Sequence, residues 1–205
     1  MSPFQTAPGA FGILALIVVV SGLGLLSMPR IIERNLLRPY RVVRQREFGP
    51  IVTCGFIHGD FGHLLFNSLT LFFFGPALER TIGTPRFIAL YFIGLVVSSA
   101  GTVLKHRDNP DYASLGASGA ILSVLFAYIV YYPLNNIYLY FAIGIPAVVF
   151  AFGYLAYTWW ASKHARGRVN HDAHLDGALT GLIFVGVTDF HAWRRAFQVV
   201  ADAIS

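Results

Sequence analysis

The chain has 205 residues, 56% of them hydrophobic and 12% charged, with a formal net charge of +5 and a mean hydropathy of +0.61. A soluble domain carries roughly 25% charged residues, so this composition excludes a solvated globular domain, a disordered chain and an extended nucleic-acid arm, and points to a bilayer. The single cysteine, Cys54, excludes an internal disulfide and a cysteine-based zinc site.

The hydrocarbon core of a bilayer is about 30 Å thick and a helix rises about 1.5 Å per residue, so each crossing needs roughly 20 residues. Residues 10–28 meet that length without a charge, and no Lys or Arg precedes them, which fits a retained first span and not a cleaved signal peptide. Residues 29–60 form an amphipathic loop: Arg30, Arg34, Arg38 and Arg41 recur at helical spacing, Ile31, Ile32, Leu36 and Leu37 lie between them, and Pro39 interrupts the pattern. The second and third spans are expected at residues 61–78 and 87–104. No charge occurs between residues 112 and 162, but Pro133, Leu134, Asn135 and Asn136 supply turn chemistry that divides this stretch into helical spans at 112–132 and 137–160. Tyr154, Tyr157, Trp159 and Trp160 cluster at one end of the fifth span, where amphipathic rings settle at the headgroup level. The sixth span is expected at residues 173–190. No repeat or linker marks off a second domain, so residues 1–205 are expected to form one all-α integral-membrane bundle of six transmembrane helices.

The basic residues lie in short segments between the apolar runs, which suits anchoring at a lipid surface better than binding nucleic acid. With a cytoplasmic N-terminus, the inner segments hold Arg80, Arg86, Arg194 and Arg195, and the outer ones hold the other eleven of the 15 Lys and Arg. Taken alone, the positive-inside rule favours the opposite orientation.

Polar groups inside a bilayer are costly, which makes three clusters functional candidates. The first is His58-Gly-Asp-Phe-Gly-His63-Leu-Leu-Phe-Asn67, where His63 and Asn67 stand four apart and share a helix face. Two readings fit it: donors converging on one point, or hydrogen bonds between helices. The second is Gly116-Ala117-Ser118-Gly119-Ala120 at the start of the fourth span. A serine among small residues is either a packing surface or, at a helix N-terminus, a hydroxyl beside unpaired N–H groups that suit an anion. The third is His174 with Gly177 and Gly181 on one stripe of the sixth span, which allows another helix to come close. If that neighbour is the fourth span, His174 reaches Ser118 as a general base, while the Ser118 N–H, His63 and Asn67 hold an oxyanion. Asp172 and Asp176 lie roughly 200° around the helix from His174 and point away. A Ser-His dyad is therefore expected, with an unidentified hydrogen bond or water fixing the imidazole tautomer.

Together, in this order and on spans two, four and six, the clusters resemble the rhomboid intramembrane serine proteases. His58, His63 and Asn67 fit the family's H-x-x-x-x-H-x-x-x-N, Gly116 to Gly119 its G-x-S-G, and Ala173, His174, Gly177 and Gly181 its A-H-x-x-G-x-x-x-G. Glu79 and Arg80 resemble its acidic-basic pair after span two. The resemblance implies that Ser118 is the nucleophile, His174 the base, and His63, Asn67 and the Ser118 N–H the oxyanion donors. His58, Gly116, Gly119, Gly177 and Gly181 support the motifs. It also implies a water-filled cavity open to the extracytoplasmic side, both termini in the cytoplasm of a bacterium, and no metal or cofactor. Its partners would be the lipid bilayer and membrane proteins with a helix-weakened transmembrane segment, not nucleic acid. The chain departs from the pattern at Gly49-Pro50, where the family has Trp-Arg, and at Leu122, where an aromatic often packs on the histidine. Two rival readings are a non-catalytic relative that binds and handles membrane clients, and a metal site built from His58, His63, His171 and His174.

Overall fold

A computed structural model describes residues 3–139, 142–164 and 169–205. After a single turn, α1 (Pro3–Thr6), proline opens one helix after another: α2 (Pro8–Leu26), α3 (Pro29–Asn35), α4 (Pro39–Gln45) and α5 (Pro50–Thr53). Its fixed φ suits the first turn, and the N–H it lacks would find no intrahelical acceptor there. A short 3₁₀ turn at Cys54–Phe56 then leads into α6 (Phe61–Ile82). Asp60 caps α6 by accepting the His63 N–H at 2.8 Å, and Gly83 ends it with a φ of +83°, a conformation that favours glycine. The remaining helices are α7 (Thr84–His106), α8 (Ser118–Tyr131), α9 (Ala147–His164), α10 (His171–Thr188) and α11 (Phe190–Ile204).

The chain is an all-α, multi-pass membrane protein. Among the described residues α2, α6 and α7 are long and apolar enough to cross a bilayer; α8 is apolar but has 14 residues, and α9 and α10 have 18 each. The centre of the bundle is α8, buried at every position from 119 to 130, with α6, α7 and α10 packed around it. On the far side of α6 lies α2, joined to it by Glu79. This buried carboxylate accepts the Gly9 and Ala10 N–H groups at 2.9 and 2.7 Å and the Thr84 hydroxyl at 2.6 Å. A carboxylate suits the positive end of α2, where N–H groups are unpaired.

Four segments differ from the sequence expectation. The start of the fifth span, expected as helix from 137, instead holds two strands: β1 (Asn136–Leu139) pairs antiparallel with β2 (Ile143–Pro146), Ile137 opposite Ile145. Branched and aromatic side chains favour strand here, and Pro146 would cost a helix an internal hydrogen bond, so α9 starts just after it. The fourth span begins at Ser118, not at 112, because Gly116 has a φ of +112° and Ser114 pairs with Leu37 through two 2.9 Å backbone hydrogen bonds. Loop 29–60 holds three short helices in place of one interrupted stretch. Beyond the sixth span the chain adds α11, which buries Ala192 and Ala196 and exposes Phe190, Phe197 and Ile204.

Candidate active site

The segment before α8 sets the position of Ser118. Gly116 donates its N–H to the Cys54 carbonyl at 2.9 Å and, in its left-handed conformation, swings the chain from an extended run into the helix. Ser118 is thus the first residue of α8, where backbone N–H groups have no acceptor within the helix. A Cβ on Gly116 would press into the His63 ring, so the glycine lets that imidazole lie against the chain just ahead of Ser118.

The histidine arrives from α10. Asn170 caps this helix by accepting the Ala173 N–H at 3.1 Å, while its amide donates to Thr102 Oγ1 on α7 at 2.8 Å and to Ser114 Oγ at 3.3 Å. One side chain therefore ties the start of α10 both to α7 and to the segment leading to Ser118. The glycine stripe brings the two helices together: a Cβ on Gly177 would overlap the Gly119 carbonyl, and one on Gly181 the Ser123 carbonyl. Across this contact His174 Nε2 lies 2.9 Å from Ser118 Oγ.

The other imidazole nitrogen is also engaged. His174 Nδ1 lies 3.0 Å from the Tyr154 hydroxyl, which is the partner the sequence left unidentified. Tyr154 was expected in an interfacial cluster; instead it turns inward, its ring centroid 5.8 Å from that of Phe126 on α8 and 5.5 Å from that of Phe150. Both carboxylates near His174 face α7: Asp172 pairs with Lys105 at 2.5 Å, and Asp176 lies against Gly101.

His58 anchors the cluster that holds His63 and Asn67. Its Nδ1 lies 2.9 Å from Ser21 Oγ, which donates to the Phe56 carbonyl at 3.0 Å, so Nδ1 carries the proton. Nε2 then accepts from Asn67 Nδ2 at 2.8 Å and from the Ala117 N–H at 3.5 Å. Burial, and then the neighbouring His63, push this imidazole down to about 3, in keeping with a ring that must stay neutral to accept. The bond commits one N–H of the Asn67 amide and leaves its other free. Burial pushes the Cys54 thiol up to about 11, so at neutral pH it is no nucleophile.

Ser118, His174, His63 and Asn67 line one cavity of about 930 Å³. Among the described residues no group of three His, Cys, Asp or Glu side chains is placed to hold a metal ion. Sequence reasoning missed Asn170 and Tyr154. Asn170 had a readable signal, an Asn three residues before Ala173 at a helix start, whereas Tyr154 had none.

A family model described as "Rhomboid domain" matches residues 45–189. Among curated proteins the chain is similar to RHOMBOID-like protein 12, mitochondrial, of Arabidopsis thaliana, 24% identical over 198 residues, covering 87% of this chain and 56% of that protein. It is 31% identical over 153 residues to Presenilin-associated rhomboid-like protein A, mitochondrial, of Danio rerio, covering 71% and 39%. With Rhomboid protease GluP of Bacillus subtilis it shares 30% identity over 141 residues, covering 68% and 26%. The chain spans about half the length of these relatives or less.

Proposed function

This chain belongs to the rhomboid family, and on that premise we propose that it is an intramembrane serine endopeptidase that cleaves membrane proteins at or near the outer interface of a bacterial cytoplasmic membrane. The observation that carries this reading is the 2.9 Å approach of Ser118 Oγ to His174 Nε2 inside a cavity shared with His63 and Asn67. Ser118 Oγ adds to the scissile carbonyl carbon as its proton passes to His174 Nε2. The oxyanion is held by the Ser118 N–H, His63 and the free N–H of Asn67. Collapse of the intermediate breaks the C–N bond, and His174 gives the same proton to the leaving amine. Water then adds to the acyl ester, yields a proton to His174, and the second collapse returns that proton to Ser118 Oγ with release of the new carboxyl end.

Depth supports the same reading. With 14 residues, α8 rises about 21 Å, short of a hydrocarbon core of about 30 Å. Tyr128, Tyr131 and Tyr132 mark its far end as the interfacial one, so Ser118 lies beneath the opposite surface. A transmembrane substrate must unwind there, because helical carbonyls are already hydrogen-bonded; segments weakened by glycine or other helix-breaking residues are the expected substrates.

The test is co-expression with a tagged single-span reporter, comparing the parent with Ser118→Ala. The parent should release a fragment whose new terminus maps within the reporter's transmembrane segment, and the variant none. Cleavage that persists in the variant refutes the nucleophile. Silence of the folded parent both in this assay and toward a fluorophosphonate probe would favour a non-catalytic client binder.

A further inference from the structure

We propose that Tyr154 is a positioning residue, fixing the tautomer and the aim of His174; the inference rests on the reading of His174 as the general base. For His174 to take a proton from Ser118, Nε2 must be bare and Nδ1 must carry the hydrogen. A hydrogen on Nδ1 needs an acceptor, and none comes from α10 itself, where Asp172 and Asp176 both face α7. None comes from α8 either, where the residue one turn after Ser118 is the aliphatic Leu122. The phenol oxygen of Tyr154 stands 3.0 Å from Nδ1 and fills that role from a third helix.

The ring is held for the task. It packs against Phe126 of α8, the helix that carries Ser118, and against Phe150 of its own helix. Serine, imidazole and phenol therefore form one line, Ser118 Oγ to Nε2 at 2.9 Å and Nδ1 to Tyr154 at 3.0 Å, contributed by α8, α10 and α9. A phenol that accepts from Nδ1–H has its own proton to place. One turn on, the buried Thr158 hydroxyl stands on the same face of α9 as an acceptor within reach of that phenol. When His174 becomes an imidazolium, the Nδ1–H bond to the phenol turns charge-assisted and strengthens, so its benefit is larger in the transition state than at rest.

The experiment uses the purified full chain in detergent, parent against Tyr154→Phe, which keeps both ring contacts and removes only the hydroxyl. A thermal unfolding curve confirms that the variant is folded. Turnover of the reporter should fall about five- to tenfold in kcat with KM unchanged, the loss expected for one hydrogen bond felt mainly in the transition state. In parallel, ¹⁵N-histidine NMR should show His174 protonated at Nδ1 in the parent and a mixture of tautomers in the variant. An unchanged kcat overturns the proposal, and so does a fall in kcat with the Nδ1 signal unmoved, which assigns the loss to packing. A parent that turns over no substrate defeats the protease reading instead, while the tautomer comparison still decides whether Tyr154 orients the ring.

Discussion

The carbonyl of Gly119 occupies the space that a Cβ on Gly177 would need. That overlap is backbone against side chain, so neither helix can relieve it by turning a rotamer. Gly177→Ala should therefore force α8 and α10 apart and destabilise the protein by about 1–3 kcal/mol, the usual cost of overpacking. Labelling of Ser118 by a fluorophosphonate should slow more than tenfold as the Ser118–His174 contact stretches. Gly12 of α2, with nothing within 4 Å of its would-be Cβ, is the control. Gly12→Ala should leave labelling unchanged, and unfolding in detergent checks both.

Glu79 faces three donors and no cation among its hydrogen-bond partners. Glu79→Gln places an amide NH₂ where two N–H groups and a hydroxyl already point, leaving at least one buried donor opposed by another. The expected loss is about 1–3 kcal/mol, read as a lower unfolding temperature. Glu79 sits twelve residues along α6 from Asn67, so labelling of Ser118 well below that temperature should match the parent.

His58 gives the protein a pH response of definite sign. Its folded value near 3 lies below the ordinary 6.5, so between those limits the unfolded chain binds the extra proton. Stability from this group is full above about pH 6.5 and is lost as pH falls toward 3. The unfolding temperature of the parent should drop across that window, and His58→Gln should flatten the slope.

Orientation is testable with a single thiol. Native Cys54 is buried, so background labelling is low. If both termini are cytoplasmic, Ser162→Cys, near the α9 end that faces the candidate site, reacts with a membrane-impermeant maleimide in intact cells. Protection in intact cells and reaction after lysis would reverse the topology, as the charge count favours.

What the sequence revealed follows from how local each signal is. His63, Asn67, Ser118, His174 and the glycine stripe stand at fixed offsets along single helices, and offsets are readable without a structure. The meeting of spans four and six followed from Gly177 and Gly181, since only another backbone fits so close. Tyr154 was hidden because its contact with His174 joins two helices at a separation with no period, and its neighbours Tyr157, Trp159 and Trp160 are exposed or interfacial in kind. The strand pair at Asn136–Leu139 and Ile143–Pro146 was hidden for the opposite reason: an uncharged apolar run has the same composition as strand or as span, and hydropathy does not separate them.

The helix bearing Ser118 is enclosed on every side, while α9 buries only Ala147, Thr158 and Ala161. Warming should thus fray the outer helix long before the inner one yields. The bond at Tyr154 ties this pliant helix to α10, whose His174 must meet Ser118 on the enclosed one. Chemistry would consequently stall by misalignment of the imidazole while the bundle as a whole is still intact.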